Sequence, residues 1–300
     1  MKSITFTTTS LRFWVGFLAL SALAFGISPS VKGERAQDEQ PPHYTFSDWA
    51  GPPIRVWYHT PAQLKADAPI VFVMHGVGRD ADRYYAEWRD YAETYRFVLL
   101  VPEFSQRDFQ KASGYNLGNV FDPSGNLNPE ERWSFTAIDF IFDEFRTRIG
   151  STRDHYRLYG HSAGAQFVHR FMFYKPHAKT ELIITANAGW YTMPDDAIEF
   201  PYGFKASGLS EASITPVLSK NVVVMLGDKD IDPNHRSLRR TSEAMAQGMH
   251  RYERGHRFYA AARDLALSTN MPFGWKKVIV PGAEHSNAQM AAAAAPLLAR

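Results

Sequence analysis

The sequence contains no cysteine among its 300 residues. That excludes a disulfide scaffold, thiolate zinc sites, iron–sulfur clusters, a cysteine nucleophile and lipid attachment through an N-terminal Cys. It also lacks a surplus of one charge: Lys and Arg number 33 against 31 Asp and Glu, a formal net charge of +2. Such a balance cannot neutralise a phosphate backbone over a wide footprint, so nucleic acid is not an expected partner. The apolar run near the N-terminus, residues 13–27 (FWVGFLALSALAFGI), falls short of the ~20 residues that span a bilayer. What is present is 45% hydrophobic and 14% aromatic content, enough to bury a large core and incompatible with disorder. Any chemistry must rely on oxygen and nitrogen nucleophiles.

Lys2 and Arg12 precede that run, and small residues follow at Ser28 and Ser30, with Ala22 and Ala24 as an alternative cleavage pair. Residues 1–30 are therefore expected to be a signal peptide, and the protein to be exported to the periplasm or the medium. An uncleaved anchor is the alternative, and would be the only membrane contact. Loss of the segment removes Lys2 and Arg12 and no acid, leaving a neutral chain. Residues 31–42 (VKGERAQDEQPP) read as a polar linker, and residues 43–300 as one domain.

Within that domain, short β-branched or apolar runs recur at residues 54–58, 70–74, 97–101, 156–159, 182–186, 222–226 and 277–280. Stretches of helical periodicity follow most of them, at residues 82–95, 131–149, 163–174, 241–267 and 287–300. Alternating strands and helices predict an α/β fold, a mainly parallel sheet covered by helices on both faces, with functional loops at the carboxyl ends of the strands. No internal repeat or second linker appears.

One of those strand ends reads Gly160-His161-Ser162-Ala163-Gly164 and leads into a helical segment. The bare G-x-S-x-G pattern arises by chance in roughly one chain in ten of this length; its strand–turn–helix setting is what makes Ser162 a candidate nucleophile. A serine hydroxyl needs a general base within hydrogen-bond reach and a carboxylate to hold that base's tautomer. Both follow in order. Gly227-Asp228-Lys229-Asp230-Ile231-Asp232-Pro233 comes after one strand, and Pro281-Gly282-Ala283-Glu284-His285-Ser286 after the last. His285 is the candidate base. Asp230 is the preferred acid and Asp232 the alternative, the latter restricted by the proline that follows it. His161 is expected to point away from the site, and His235, His169, His250 and His256 to be surface or packing residues, without the H-E-x-x-H spacing of a zinc site. The oxyanion is expected to be met by backbone N–H groups of Ala163 and of Val77, in the loop His75-Gly76-Val77-Gly78. Arg79 and Asp80 are expected to form a structural pair.

Taken together, His75-Gly76, Gly160-His161-Ser162-Ala163-Gly164, the Gly227 loop with Asp230, and His285 resemble the α/β-hydrolase superfamily, over about residue 50 to the C-terminus. The apolar N-terminus and the His-Gly loop are most similar to secreted esterases of the polyhydroxybutyrate-depolymerase and feruloyl-esterase kind. The resemblance implies a carboxylic ester hydrolase acting through an acyl-enzyme without cofactor or metal, on a small or oligomeric ester. Residues 189–220 lack clear periodicity, and a stretch of that kind is usually functional. Trp190, Tyr191 and Tyr202 within it, with Phe104 and Trp133 from other loops, are expected to wall a substrate pocket, packing being the equal alternative. A serine peptidase, a thioesterase and a non-catalytic binding protein on the same fold remain as other readings; the oligomeric state is not legible.

Overall fold

The structure, a computed structural model, describes residues 41–300; the expected signal peptide and residues 31–40 of the expected linker lie outside them. The β-branched runs form strands because such side chains fill a pleated surface covered on both faces. In chain order the elements are β1 (His43–Phe46), β2 (Ile54–His59), β3 (Ile70–Met74), α1 (Ala81–Tyr95), β4 (Val98–Glu103), the short α2 (Lys111–Gly114), α3 (Thr136–Arg148), β5 (Tyr156–His161), α4 (Ala163–Tyr174), β6 (Thr180–Ala186), α5 (Glu211–Leu218), β7 (Val222–Gly227), α6 (Ser242–Ala246), α7 (Arg251–Ser268), β8 (Lys276–Val280) and α8 (Asn287–Leu298). They build one eight-stranded sheet in the order β1-β2-β4-β3-β5-β6-β7-β8. The pairs β1–β2 and β2–β4 are antiparallel and the others parallel. The α/β class and the mainly parallel sheet are as expected from the sequence.

Alternate residues of one strand serve two cores. Along β3, Ile70, Phe72 and Met74 join Phe142 of α3, Phe167 of α4, Val217 of α5 and Phe258 of α7 on one face. Val71 and Val73 join Trp88 of α1 and Met290 of α8 on the other. Chain order reverses around β3, which lies between β4 and β5, and such a reversal opens a crevice at the strands' carboxyl ends. The loops after β3 and β5 meet there.

Three elements depart from expectation. β1 has no apolar run to announce it, yet pairs with β2 from His43 opposite Trp57 to Phe46 opposite Ile54. The aperiodic stretch over 189–220 contains α5, opened by a reciprocal Ser210–Ser213 capping box. The single helix expected over 241–267 is two, α6 and α7, because Gly248 adopts φ +144° between them, a conformation no helix continues through.

Phe167, on the inner face of α4, meets the rings of Phe135, Phe104 and Tyr115 at 4.8, 5.4 and 5.4 Å. It thereby fixes the helix that carries the nucleophile motif to the layer below it. Phe167→Ala is expected to destabilise the domain by about 3–5 kcal/mol, seen as a lower urea midpoint at unchanged slope. A loss under ~1 kcal/mol would mean that the aromatic cluster closes over the gap.

Candidate active site

β5 ends at His161 and α4 begins at Ala163, so Ser162 alone makes the turn. Its φ of +58° with ψ −115° is rare for any residue with a side chain, and it lifts the hydroxyl out at the end of the strand. So sharp a turn forces backbones together. A Cβ on Gly160 would lie 2.3 Å from the Gly164 carbonyl oxygen, and one on Gly164 2.0 Å from the Met74 carbonyl oxygen. Only glycine fits at either place.

Three loops from distant parts of the chain then converge. His285 Nε2 lies 3.0 Å from Ser162 Oγ, and His285 Nδ1 lies 2.7 Å from Asp230 Oδ2. Asp230 is 3% exposed. Burial, the largest influence, works to raise its carboxyl; the hydrogen bond and charge of His285, with the Arg251 guanidinium, outweigh it and hold the group below its ordinary value. The neighbouring aspartates are occupied elsewhere: Asp228 Oδ1 accepts from Gly282 N at 2.8 Å, tying the two loops together, and Asp232 Oδ1 accepts from Asn234 N at 2.8 Å. Of the two acids weighed from the sequence, Asp230 is the one that reaches His285.

Two histidines expected to stand apart do not. The His161 ring packs 4.8 Å from the His285 ring, and the His235 ring meets it edge-on at 5.4 Å. The turn that lifts Ser162 leaves His161 beneath the base instead of pointing away, and the loop after β7 folds His235 back over it. The Tyr84 hydroxyl of α1 and His161 Nδ1 share a hydrogen bond at 3.0 Å. His161 is held well below its ordinary pKa by burial first and then by the nearby His285, Arg251 and Arg83. His75, in the loop after β3, is also neutral: burial lowers it to about 4. Its Nδ1 donates to Gly76 O at 3.1 Å, and its Nε2 accepts from Phe104 N at 3.1 Å. That pins the loop whose Val77 lines the Ser162 cleft together with Ala163. Asp80 pairs with Arg83 at 2.6 Å, whereas Arg79 donates to the carbonyls of Phe104, Phe109 and Lys111 at 2.5, 3.1 and 2.8 Å. The expected Arg79–Asp80 pair is thus replaced by two separate attachments.

The aromatic pocket wall needs correction. Trp190 lines the cleft beside Ser162, with Tyr202 against it at 4.8 Å. Tyr191 is turned inward and stacks on Phe258 at 4.3 Å. Trp133 packs edge-on to Tyr174 and lines a separate cavity. Phe104 is wholly in the core. The cleft itself, about 500 Å³, is lined by Arg79, Lys111, Arg236 and Arg239, and no aspartate or glutamate among the described residues lines it. Trp190 is held between two guanidinium groups, that of buried Arg170 at 4.1 Å and that of Arg239 at 5.0 Å. Arg170 bonds only neutral oxygens, on Thr192, Asn116 and Gln166, and burial lowers it to about 9. These cations come from the loop after β3, the start of α2, the loop after β7 and α4, so no run or motif in the sequence announces them.

No protein-family model matches the chain, and no curated protein sequence does. Among solved structures, poly(aspartic acid) hydrolase-1 from Sphingomonas sp. KT-1 is 43% identical, over 86% of this chain and 98% of its own, with a TM-score of 0.84. The poly(3-hydroxybutyrate) depolymerase LpqC from Bordetella parapertussis is 32% identical, over 85% and 87%, with a TM-score of 0.79. The chain belongs to the α/β-hydrolase superfamily. It is a hydrolase, like both relatives. An S-formylglutathione hydrolase from Agrobacterium tumefaciens, 11% identical with a TM-score of 0.58, shares the fold alone.

In this hydrolase the neutral buried histidines have a consequence for stability. His75, His161 and His169 are all depressed, chiefly by burial, so below pH ~6.5 the unfolded chain binds protons there that the folded chain refuses. Stability is then present above that pH and falls as pH drops from ~6.5 toward 4, by up to ~1.4 kcal/mol per pH unit for each histidine. Urea midpoints at pH 7.5 and 5.5 should differ accordingly. A midpoint independent of pH across that window would refute the neutral assignment.

Proposed function

We propose that the chain is a serine hydrolase that cleaves carboxylic esters through an acyl-enzyme, on substrates that carry negative charge. The observation behind the reaction is the unbroken hydrogen-bonded series Ser162, His285, Asp230 at the floor of an open cleft. Ser162 Oγ attacks the substrate carbonyl while its proton passes to His285 Nε2. The imidazolium is stabilised by Asp230 across the Nδ1 hydrogen bond. The N–H groups of Val77 and Ala163 meet the oxyanion. On collapse the ester C–O bond breaks, and the leaving alcohol takes the proton from His285. Water, deprotonated by the same imidazole, then releases the acid and restores Ser162. No step calls for a cofactor or metal.

The cationic lining supports the substrate's charge. Arg79, Lys111, Arg236 and Arg239 line one cleft, where charges of one sign concentrate anionic ligands, and Trp190 supplies an apolar face beside them. The same lining favours a second reading, hydrolysis of the amide backbone of an acidic polymer, since the 43% identical relative is a poly(aspartic acid) hydrolase. An exported enzyme, as expected from residues 1–30, would meet such a polymer outside the cell.

Ser162→Ala should lose at least ~10⁴-fold in turnover while staying folded, and should lose labelling by a fluorophosphonate; labelling at another residue would reject the assignment. Substrate charge is tested with carboxylate-bearing and neutral aryl esters of equal length beside an oligo-aspartate. For the anionic substrates kcat/KM should fall steeply between about 20 and 500 mM salt, and fall further in Arg236→Ala. Equal salt response of charged and neutral esters would remove the case for an anionic substrate, and cleavage of the oligo-aspartate with no ester turnover would leave only the second reading.

A further inference from the structure

The Asp230 carboxylate has a second partner besides His285. Its Oδ1 accepts from Arg251 Nη1 at 3.1 Å, and the Arg251 side chain is 1% exposed. The other arm of the same guanidinium donates to Ser237 Oγ at 2.9 Å and lies 3.1 Å from His235 Nδ1. A guanidinium only donates, so His235 Nδ1 is an acceptor, its proton sits on Nε2, and the ring is neutral. That ring packs edge-on against His285. Arg251 opens α7, and the backbone repeats the attachment, for Tyr252 N donates to Asp230 O at 3.3 Å.

We propose that Arg251 is a positioning residue of the hydrolase: it clamps one oxygen of Asp230 so that the other is presented to His285, and it keeps His235 uncharged against the base. The proposal rests on the reading of Ser162, His285 and Asp230 given above. A carboxylate with one partner rotates about its Cβ–Cγ bond; one held at both oxygens by a planar donor and an imidazole has a single orientation. Arg251 also offsets part of the carboxylate's pull on the imidazolium. Its loss should therefore misorient the relay and, by removing a cation near His285, ease protonation of that base.

The charged and titratable groups around His285 are Asp230, Asp232, His235 and Arg236 of the loop after β7, Arg251 of α7, His161 of β5, and Asp80, Arg83 and Tyr84 at the start of α1. Of these, Arg251 alone touches both Asp230 and His235. Its removal therefore changes the charge at the acid and takes one donor from His235 Nδ1, to which Ser237 N still donates at 3.3 Å.

The test uses Arg251→Met and Arg251→Lys of the whole chain, with active sites counted by fluorophosphonate labelling so that kcat refers to folded enzyme. In Arg251→Met, kcat on a neutral aryl ester should fall ~10- to 100-fold with KM little changed, short of the ~10⁴-fold known for loss of an orienting carboxylate's proper form. The acid limb of the pH–rate profile should move to higher pH. Arg251→Lys restores the charge without the fork, and should return the acid limb toward wild type while leaving part of the kcat loss. In an Asp230→Asn background, Arg251→Met should add little. An unchanged kcat and acid limb in Arg251→Met, or full additivity with Asp230→Asn, would overturn the proposal. Should Ser162→Ala keep wild-type activity, the underlying reading fails instead.

Discussion

Everything at the crevice depends on a backbone approach. For Ser162 to stand in the left-handed region between β5 and α4, the first turn of α4 must pass over the end of β3 with no side chain between. Gly164 against the Met74 carbonyl and Gly160 against Gly164 make that possible. The strain at Ser162, of order 1–3 kcal/mol, is held by the packing of α4 through Phe167 and its aromatic neighbours. The close approach also sets Ser162 beside the loop after β3, so that Ser162, Ala163 and Val77 line one cleft. Moving α4 outward by the width of a methyl group would part them.

The second constraint is electrostatic. A carboxylate as buried as Asp230 is costly unless both oxygens are met, and His285 with Arg251 meets them. The cation brought in for that purpose lies near further imidazoles, and the fold keeps two of them neutral: His161 chiefly through burial, His235 through its acceptor role to Arg251. In the reading proposed above, His285 is then the imidazole left to take the proton from Ser162. Orientation of the acid and neutrality of its surroundings are thus two results of one guanidinium.

The fold and the relay were legible in the sequence for the same reason: both are written locally. β-branched runs followed by helical periodicity gave the parallel sheet, and G-x-S-x-G, the Gly227 loop and His285 each sit directly after a strand. Asp230 could be preferred to Asp232 because a proline follows Asp232, an argument about one loop that left the alternative open. What escaped was relational. β1 is a strand only by virtue of pairing with β2. His161 and His235 look like incidental histidines until β5 and the loop after β7 are brought to one point. Trp190 and Tyr191 are sequence neighbours of equal promise, and only the folded chain sends one to the cleft and the other to Phe258.

The same distinction separates reaction from substrate in this protein. Ser162, Asp230 and His285 follow β5, β7 and β8 by one, three and five residues, so each is placed from the end of a strand. Lys111, Arg236 and Arg239 lie in or beside loops, and Arg79 is held by three carbonyls of the segment between β4 and α2. Loops accept substitution at far lower cost than a sheet does, so a hydrolase of this build can exchange a neutral cleft for a cationic one without disturbing Ser162. The two relatives named for poly(aspartic acid) and for poly(3-hydroxybutyrate), one polymer charged and the other not, both share this chain's fold.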